Sequence, residues 1–592
     1  MTLSSEVSAR AQKDQNEGLS AGLNLIRDRW IPVRRKDGTV EKIRPAEVLD
    51  FGPDGENPPV AVAAVRPDFN SALIQFLIGI FQTAVAPKRE GDWRKTWKNR
   101  PTVDAMQREF DDFAHAFEVE PNAEAEAEAE VGSALFMQDL DPLESQKPKP
   151  VIQLLLDTPA GQTLKFNKDH FTKDRGEQYL CPDCTLLSLL ALQLNAPGGG
   201  AGHRTSLRGG GPLNTIILGR NLWETVWLNI LPTKNRSGWT ELVSNDLGDV
   251  FPWLEPTRTS DDKKGGTNTT PVDVHPAQIY WNMPRRIRLL SPKNVSGQES
   301  CCELCGEPSE RLYSEYKTQN YGVNYEGAWV HPLTPYSILK DGSPNPAKGQ
   351  PGGLSYRHWR GYVANFEDGN QSPAEVVTQF LKRGESSLAE GDELFRFQPR
   401  LWAFGYDADN AKIRSWHEST MPLYLLPEGL YADFEQCAIE LVAAADFVVY
   451  VLGNALKNAL FGEPEVSEKG KVTWRVADGV NAKKSFFQQI NMSFWQQTES
   501  AFYAALEEVK AALLAGTERL PIRENWRKVL QDEAMGTFDS NSQFGSFYGA
   551  DPKAVVLARR NLRLSSSAHN KKLRELLDLP KPEKSKTPEE GK

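Results

Sequence analysis

The spacing of apolar positions changes partway along the chain. Up to about residue 420 they come in short runs. Strand-like segments such as TIILG from Thr215 and RIRLL from Arg286 alternate with helical stretches, and no simple repeat is visible. This pattern predicts one large, irregular α+β domain over residues 1–420. After about Met421 the step becomes helical. Phe434, Cys437, Leu441, Ala445, Val448, Leu452 and Leu456 recur at three- and four-residue intervals, and Phe487, Ile490, Phe494, Ala501, Ala505, Val509 and Leu513 form a second stripe. Two more helices are expected at Ile522–Glu533 and Pro552–Leu577, the last opened by Asp551 as N-cap and Pro552 in the first turn. Residues 421–592 therefore read as an all-α four-helix bundle with a disordered tail after about residue 578.

Two polar, glycine-rich stretches, RTSDDKKGGTNTT from Arg258 and GSPNPAKGQPGG from Gly342, read as long surface loops inside the large domain. A hydrophobic content of 39% with 15 tryptophans in 592 residues supplies enough apolar surface for sizeable cores. The first twenty residues lack an apolar core of the kind a signal peptide needs. The most apolar run, SALIQFLIGIFQTAVA from Ser71, is too short and too interrupted to span a bilayer. The expectation is a soluble cytoplasmic protein with no membrane partner.

The net charge of −10 argues against a nucleic-acid partner only if charge is spread evenly. It is not: Ala123–Glu130 is an Ala-Glu repeat, whereas Lys553–Arg574 holds seven lysines or arginines and no acid. Such segregation leaves local basic faces available for phosphate. Arg559, Arg560 and Arg563 lie on one of these, which reads either as a solvated helix face or as a phosphate-binding one.

Five of the six cysteines fall in two clusters, Cys181-Pro-Asp-Cys184 and Cys301-Cys302-Glu-Leu-Cys305-Gly306. Cys181, Cys184, Cys302 and Cys305 offer two CxxC knuckles, a set that suits tetrahedral zinc in a structural site with no open position. A single redox CxxC ahead of the apolar helix TLLSLLALQL is the rival reading.

Between the clusters lies APGGGAGHRTSLRGGGP, Ala196–Pro212, with seven glycines. It lacks the Lys-Ser/Thr of a nucleotide P-loop and the order of a dinucleotide site. Gly18-Leu-Ser20-Ala-Gly22 matches a nucleophile elbow in letters but follows a polar segment where a strand is required. The acid pairs Asp139/Asp141 and Asp407/Asp409 are the only material for a Mg²⁺-dependent DNA-processing enzyme, the alternative function. The second pair fits a hairpin tip between LWAFGY and AKIRSW better. No catalytic constellation emerges.

Taken in order, NLIRDRWIPV from Asn24, RPDF from Arg66, FMQD from Phe136, the two knuckles, the glycine loop, AWVHPLTP from Ala328 and the C-terminal helices resemble the CasA family. These proteins are the large subunits of the type I-E CRISPR surveillance complex, Cascade. The resemblance implies a non-catalytic subunit of an RNA-guided antiviral complex, with guide RNA (crRNA), double-stranded target DNA, the backbone and small Cascade subunits and a helicase-nuclease as partners. It implies recognition of the protospacer-adjacent motif (PAM) from the minor groove by Gly199, Gly200, Ala201 and Gly202, with Ala201 standing where the family has a contacting glycine. A lysine finger maps onto Lys317 or Asn320, and a strand-parting wedge onto Asn410. Guide-RNA contact maps onto the loop 164–179, with Phe166 as its aromatic and Lys165 and Lys168 among its cations. Arg559, Arg560 and Arg563 would face the displaced strand. Glycines suit a groove about 6 Å wide, because only backbone approaches the base edges.

Overall fold

The computed structural model describes residues 22–120, 133–158, 178–234, 236, 239, 247–294, 301–350, 352–363, 371–391, 395, 397–409, 412–427, 429–476, 484–543 and 551–581. They divide into two units, the first comprising residues up to 349 with 374–380 and 402–418, the second comprising 350–373, 381–401 and the chain from 419.

The first unit opens with a three-stranded antiparallel sheet, β1 (Ile31–Arg35) between β2 (Val40–Ile43) and β3 (Pro59–Val62). Helix α1 (Pro67–Ala84) follows, and almost every residue of it is buried. Its Phe76 is the hub of an aromatic core, meeting Trp30, Phe117, Phe136 and Trp281 edge-on at ring separations of 5.2–6.0 Å. Helix α3 (Val103–Asp111) packs on α1, Phe110 meeting Phe81 edge-on at 5.0 Å, while α2 (Glu90–Lys98) stacks its Trp93 on Trp227 at 6.4 Å. The FMQD segment lies in this core: Phe136 is a ring of the cluster, and the buried Gln138 amide accepts from the Leu289 backbone at 2.9 Å and donates to the Val119 carbonyl at 3.0 Å.

Later elements place the glycine loop. A two-residue strand β4 (Lys149–Pro150) precedes α4 (Pro182–Asn195), which starts at Cys181, packs on α1 and ends at the loop. Beyond the loop run β5 (Asn214–Leu218) and α5 (Leu222–Leu228). Strands β6 (Arg286–Leu289) and β7 (Glu315–Gln319) pair antiparallel, Lys317 opposite Arg288, with β4 on the other edge of β7. Strands β8 (Arg400–Asp409) and β9 (Lys412–Pro422) pair with each other, and β8 lies beside β5, so LWAFGY and AKIRSW fall on neighbouring strands, as expected.

In the second unit, α6 (Glu375–Ala389) contributes its later turns, and four longer helices follow: α7 (Tyr431–Phe461), α8 (Lys484–Ala515), α9 (Leu520–Gln543) and α10 (Pro552–Ser565). All seven positions of the first stripe are buried along α7, which packs against α8, α9 and α10. By length and composition α7 could also cross a membrane; its buried stripe accounts for that hydropathy. Trp526 of α9 donates to the Leu441 carbonyl of α7 at 2.9 Å, and Tyr356 stacks on Phe502 of α8 at 4.3 Å. A hairpin of β10 (Gly462–Val466) and β11 (Val472–Val476) separates α7 from α8.

One expectation is corrected. Pro552–Leu577 is not one helix: Asp551 does cap α10, accepting from Lys553 N at 2.9 Å, but the helix stops at Ser565 and α11 (Lys571–Leu576) restarts under an Asn570 cap. The serines cause the break, Ser566 and Ser567 turning their hydroxyls back to the Leu562 and Leu564 carbonyls.

Candidate functional site

The glycine loop is held at both ends and from beneath. Ser206 N and Gly211 N donate to the Ala196 and Asn195 carbonyls at 3.2 and 3.1 Å, closing the loop on the end of α4. Its two glycine runs touch: a Cβ on Gly210 would stand 2.8 Å from Pro197 Cα. The second run also meets the hairpin, since a Cβ on Gly211 would stand 3.1 Å from the Tyr406 carbonyl oxygen, and Gly349 bridges to Asp407. Gly199, Gly200 and Gly202 adopt φ of 125°, 118° and 73°, where a side chain is strained. Gly199, Gly200 and Ala201 are exposed.

The chain just past β7 braces this exposed tip. Asn320 donates from Nδ2 to the Ala201 carbonyl at 2.8 Å, and Tyr321 N donates to the Gly202 carbonyl at 2.8 Å. Of the two finger candidates, the structure thus brings Asn320 onto the glycine loop. Lys317 sits mid-strand, on the opposite face of β7 from Tyr316 and Thr318. Tyr321 itself has φ of 64°, a strained choice for a non-glycine residue.

The HRTSLR core is not a set of outward cations. Arg208 is fully buried, its guanidinium donating to Gln75 Oε1 at 2.9 Å, Thr334 Oγ1 at 3.3 Å and Asn214, and burial lowers its pKa to about 10. Arg204 donates to Ser260 Oγ and the Ser260 carbonyl at 2.7 and 2.9 Å. Ser260 also donates from Oγ to the Gly322 carbonyl at 2.7 Å, so the RTSDDKKGG stretch is a support under the site.

Cys181, Cys184, Cys302 and Cys305 converge, their sulfurs all within 4.8 Å of one another, and Cys181 and Cys305 are 3.9 Å apart. Cys301 is exposed and outside this group, so the CxxC spacing picked the inward member of the Cys301–Cys302 pair. Gly306, with φ of 75°, lets its N–H turn back to the Cys302 carbonyl at 2.8 Å, the knuckle turn the spacing implies. Hydrogen bonds from the Cys181 and Cys184 thiols hold Cys302 well below the ordinary thiol range, while the shared protons and burial push Cys184 far up. Four sulfurs competing for protons in this way form a set that could hold a metal ion. Cys437, on the α7 stripe, is buried.

The acid pairs are spoken for. Asp139 is buried and paired with Arg286, which also reaches Asp141 at 3.0 Å; Asp407 is buried against Arg414 at 2.6 Å. The first pair already has a guanidinium between its carboxylates, and Asp407 of the second has one of its own. Asp139→Ala should therefore cost about 1–3 kcal/mol in denaturant unfolding, because it removes the buried partner of Arg286 and leaves it only the half-exposed Asp141. Incubation of the isolated protein with labelled duplex and Mg²⁺ should show no cleavage for the substitution to remove; cleavage that Asp139→Ala abolishes would reinstate the enzyme.

Arg559 is held by Asp539 in a two-pronged pair at 2.6 and 2.7 Å, whereas Arg560 and Arg563 are exposed on the same helix with no ion pair among the described residues. Asn410, Lys165, Phe166 and Lys168 lie outside the described residues, as do residues 18–21 of the elbow-like match.

By fold, the chain is similar to CasA of Thermus thermophilus, at 18% identity and a TM-score of 0.65 over 91% of this chain and 98% of that one. It is equally similar to Cse1 of Acidimicrobium ferrooxidans, at 16% identity and a TM-score of 0.66 over 95% and 99%. A chain of a CRISPR RNA-guided surveillance complex matches at 16% identity and a TM-score of 0.59 over 92% and 99%. In sequence, the model of the CRISPR-associated protein Cse1 family matches residues 24–537. A match of that extent, with the glycine loop and both knuckles inside it, assigns the chain to the CRISPR-associated protein Cse1 family, the type I-E CasA proteins.

Proposed function

We propose that this protein is the non-catalytic large subunit of a cytoplasmic type I-E surveillance complex and reads the PAM of double-stranded DNA from the minor groove. The observation that carries this reading is the bracing of an exposed, side-chain-poor backbone tip, Gly199–Ala201, by Asn320 and Tyr321. A rigid tip of that kind suits a narrow groove, where backbone amides reach acceptors on base edges that bulky side chains cannot approach. Asn320 takes the finger's place, and Asn410, between β8 and β9 in the sequence, takes the wedge's. The loop 164–179, through Phe166, Lys165 and Lys168, docks the guide RNA.

In this reading residues 1–420 form the guide-docking and PAM-reading domain, with the four cysteines holding a structural zinc. Residues 421–592 form the four-helix bundle that contacts the small subunits and the displaced strand, and the protein helps recruit the helicase-nuclease. The test is target binding by the reconstituted complex with and without this chain across a randomised motif library: motif preference should vanish with the chain, and equal binding to motif-bearing and motif-free duplex in the complete complex would refute the reading.

The displaced-strand role rests on Arg560 and Arg563, since Arg559 is neutralised by Asp539. Reversing both charges should lower target affinity and reduce the slope of log affinity against log salt by about 2. An unchanged slope would leave them a solvated face.

A further inference from the structure

Beside the exposed glycine tip lie two cations and a histidine without a counter-charge. Arg285, the residue before β6, donates from Nη1 to His203 Nδ1 at 2.7 Å and from Nη2 to the Pro197 carbonyl. Its backbone is clamped by the buried Gln193 side chain, which accepts from Arg285 N at 3.1 Å and donates to its carbonyl at 3.0 Å. The guanidinium Nε is buried with no partner. Lys149 of β4, exposed, is the third member: it lies opposite Tyr316 of β7, whose other edge pairs with β6, the strand that begins one residue after Arg285. None of the three has a carboxylate partner among the described residues.

The electrostatics agree with that geometry. Burial lowers Arg285 to about 10; burial and then Arg285 lower Lys149; burial, Arg285 and Lys149 together lower His203. All three effects favour the neutral imidazole. Because its Nδ1 accepts from Arg285, its proton sits on Nε2, making an exposed imidazole into a donor of fixed tautomer beside Gly199–Ala201. Two cations and a neutral donor gathered without an acid leave room for an anion to stabilise them.

We propose that His203, Lys149 and Arg285 form a site for a backbone phosphate of the bound duplex, set beside the glycine tip. Arg285 orients His203 and supplies buried positive charge, while His203 Nε2–H and the Lys149 ammonium make the contacts. The inference rests on the duplex-reading role proposed above and adds to it a sequence-independent contact that fixes how deep the tip sits.

The experiment is target binding by the reconstituted complex carrying Lys149→Ala, His203→Ala or His203→Gln, measured over a salt series and against several motif sequences. Lys149→Ala should weaken binding about tenfold, equally for every motif, and flatten the salt slope by about 1. His203→Ala should weaken it similarly for all motifs, and His203→Gln, which keeps a neutral donor, should recover most of the loss. Wild-type motif preference with unchanged affinity and slope in Lys149→Ala and His203→Ala would overturn the phosphate site and leave the reading intact. Loss of motif preference in the wild type would sink the reading itself. Weakened assembly with guide RNA, at unchanged duplex affinity, would overturn the site by assigning it to the guide's phosphates.

Discussion

Cys184→Ser or Cys302→Ser should lower the midpoint of the first unfolding transition by about 5–10 °C, and should weaken motif-bearing duplex binding in the assembled complex. The argument is one of position. Cys181 and Cys184 stand at the start of α4, whose far end at Asn195 anchors the glycine loop; Cys302 and Cys305 precede β7, whose far end carries Asn320 and Tyr321. The cluster thus ties together the near ends of the two segments whose far ends meet at Ala201 and Gly202. When bound, a divalent ion supplies the charge that displaces the thiol protons and turns four competing sulfurs into four ligands. Serine at one position withdraws a ligand and leaves a buried hydroxyl among three thiols. Cys301→Ser, exposed and outside the cluster, is the control and should change nothing. Metal analysis should find zinc at one per chain, lost with Cys184→Ser. Absence of bound metal with an unchanged midpoint would remove the staple from the account.

What could be read in advance follows from how local each signal is. The α7 stripe and the two knuckles are patterns of a few residues at fixed spacing, and the cysteine spacing alone selects Cys302 over Cys301. The support beneath the glycine loop was not legible, because it is assembled from separate stretches. Ser260 comes from a segment that reads as an ordinary polar loop, Arg285 from the residue before a strand, and Lys348 and Gly349 from a proline-glycine loop. Tyr321 gave no warning of its positive φ, which composition signals only when the residue is glycine or asparagine. Asp139 looked like half of a metal pair because Arg286, its partner, is distant in sequence. The serines at Ser566 and Ser567 were a local signal for the end of α10, outweighed in the pattern by leucine spacing on either side. Several of the family's motif segments turn out to be framework. Asp68 of RPDF accepts from the buried Tyr406 hydroxyl at 2.6 Å, and His331 of AWVHPLTP accepts from Leu333 N at 3.1 Å, so they mark the family without touching the exposed tip.

Gly202→Val should abolish measurable motif preference while leaving guide-RNA assembly intact. Two costs coincide at this position. The φ of 73° is left-handed, which costs a non-glycine residue about 1–2 kcal/mol. In addition a Cβ there would stand 2.8 Å from the Tyr321 ring and 3.0 Å from Asn320 Cβ, and overpacking of that kind costs about 1–3 kcal/mol more. Neither neighbour can retreat cheaply, since Tyr321 N holds the Gly202 carbonyl and Asn320 holds that of Ala201. The strain will be relieved by moving the tip, so the loss appears in duplex reading and not in global stability. Gly200→Ala separates the two costs: its Cβ would meet only His203 Cδ2 at an ordinary 3.6 Å, so only the φ of 118° opposes it, and its effect should be about tenfold smaller. Ala201→Gly is the third arm. Ala201 does not share the positive φ of its glycine neighbours and its methyl is exposed, so removing it should leave the loop's position unchanged and alter only how closely the tip meets a base edge. If Ala201→Gly changes motif preference while Gly202→Val does not, contact is made by the methyl-bearing edge of the tip and not by the backbone that Tyr321 holds in place.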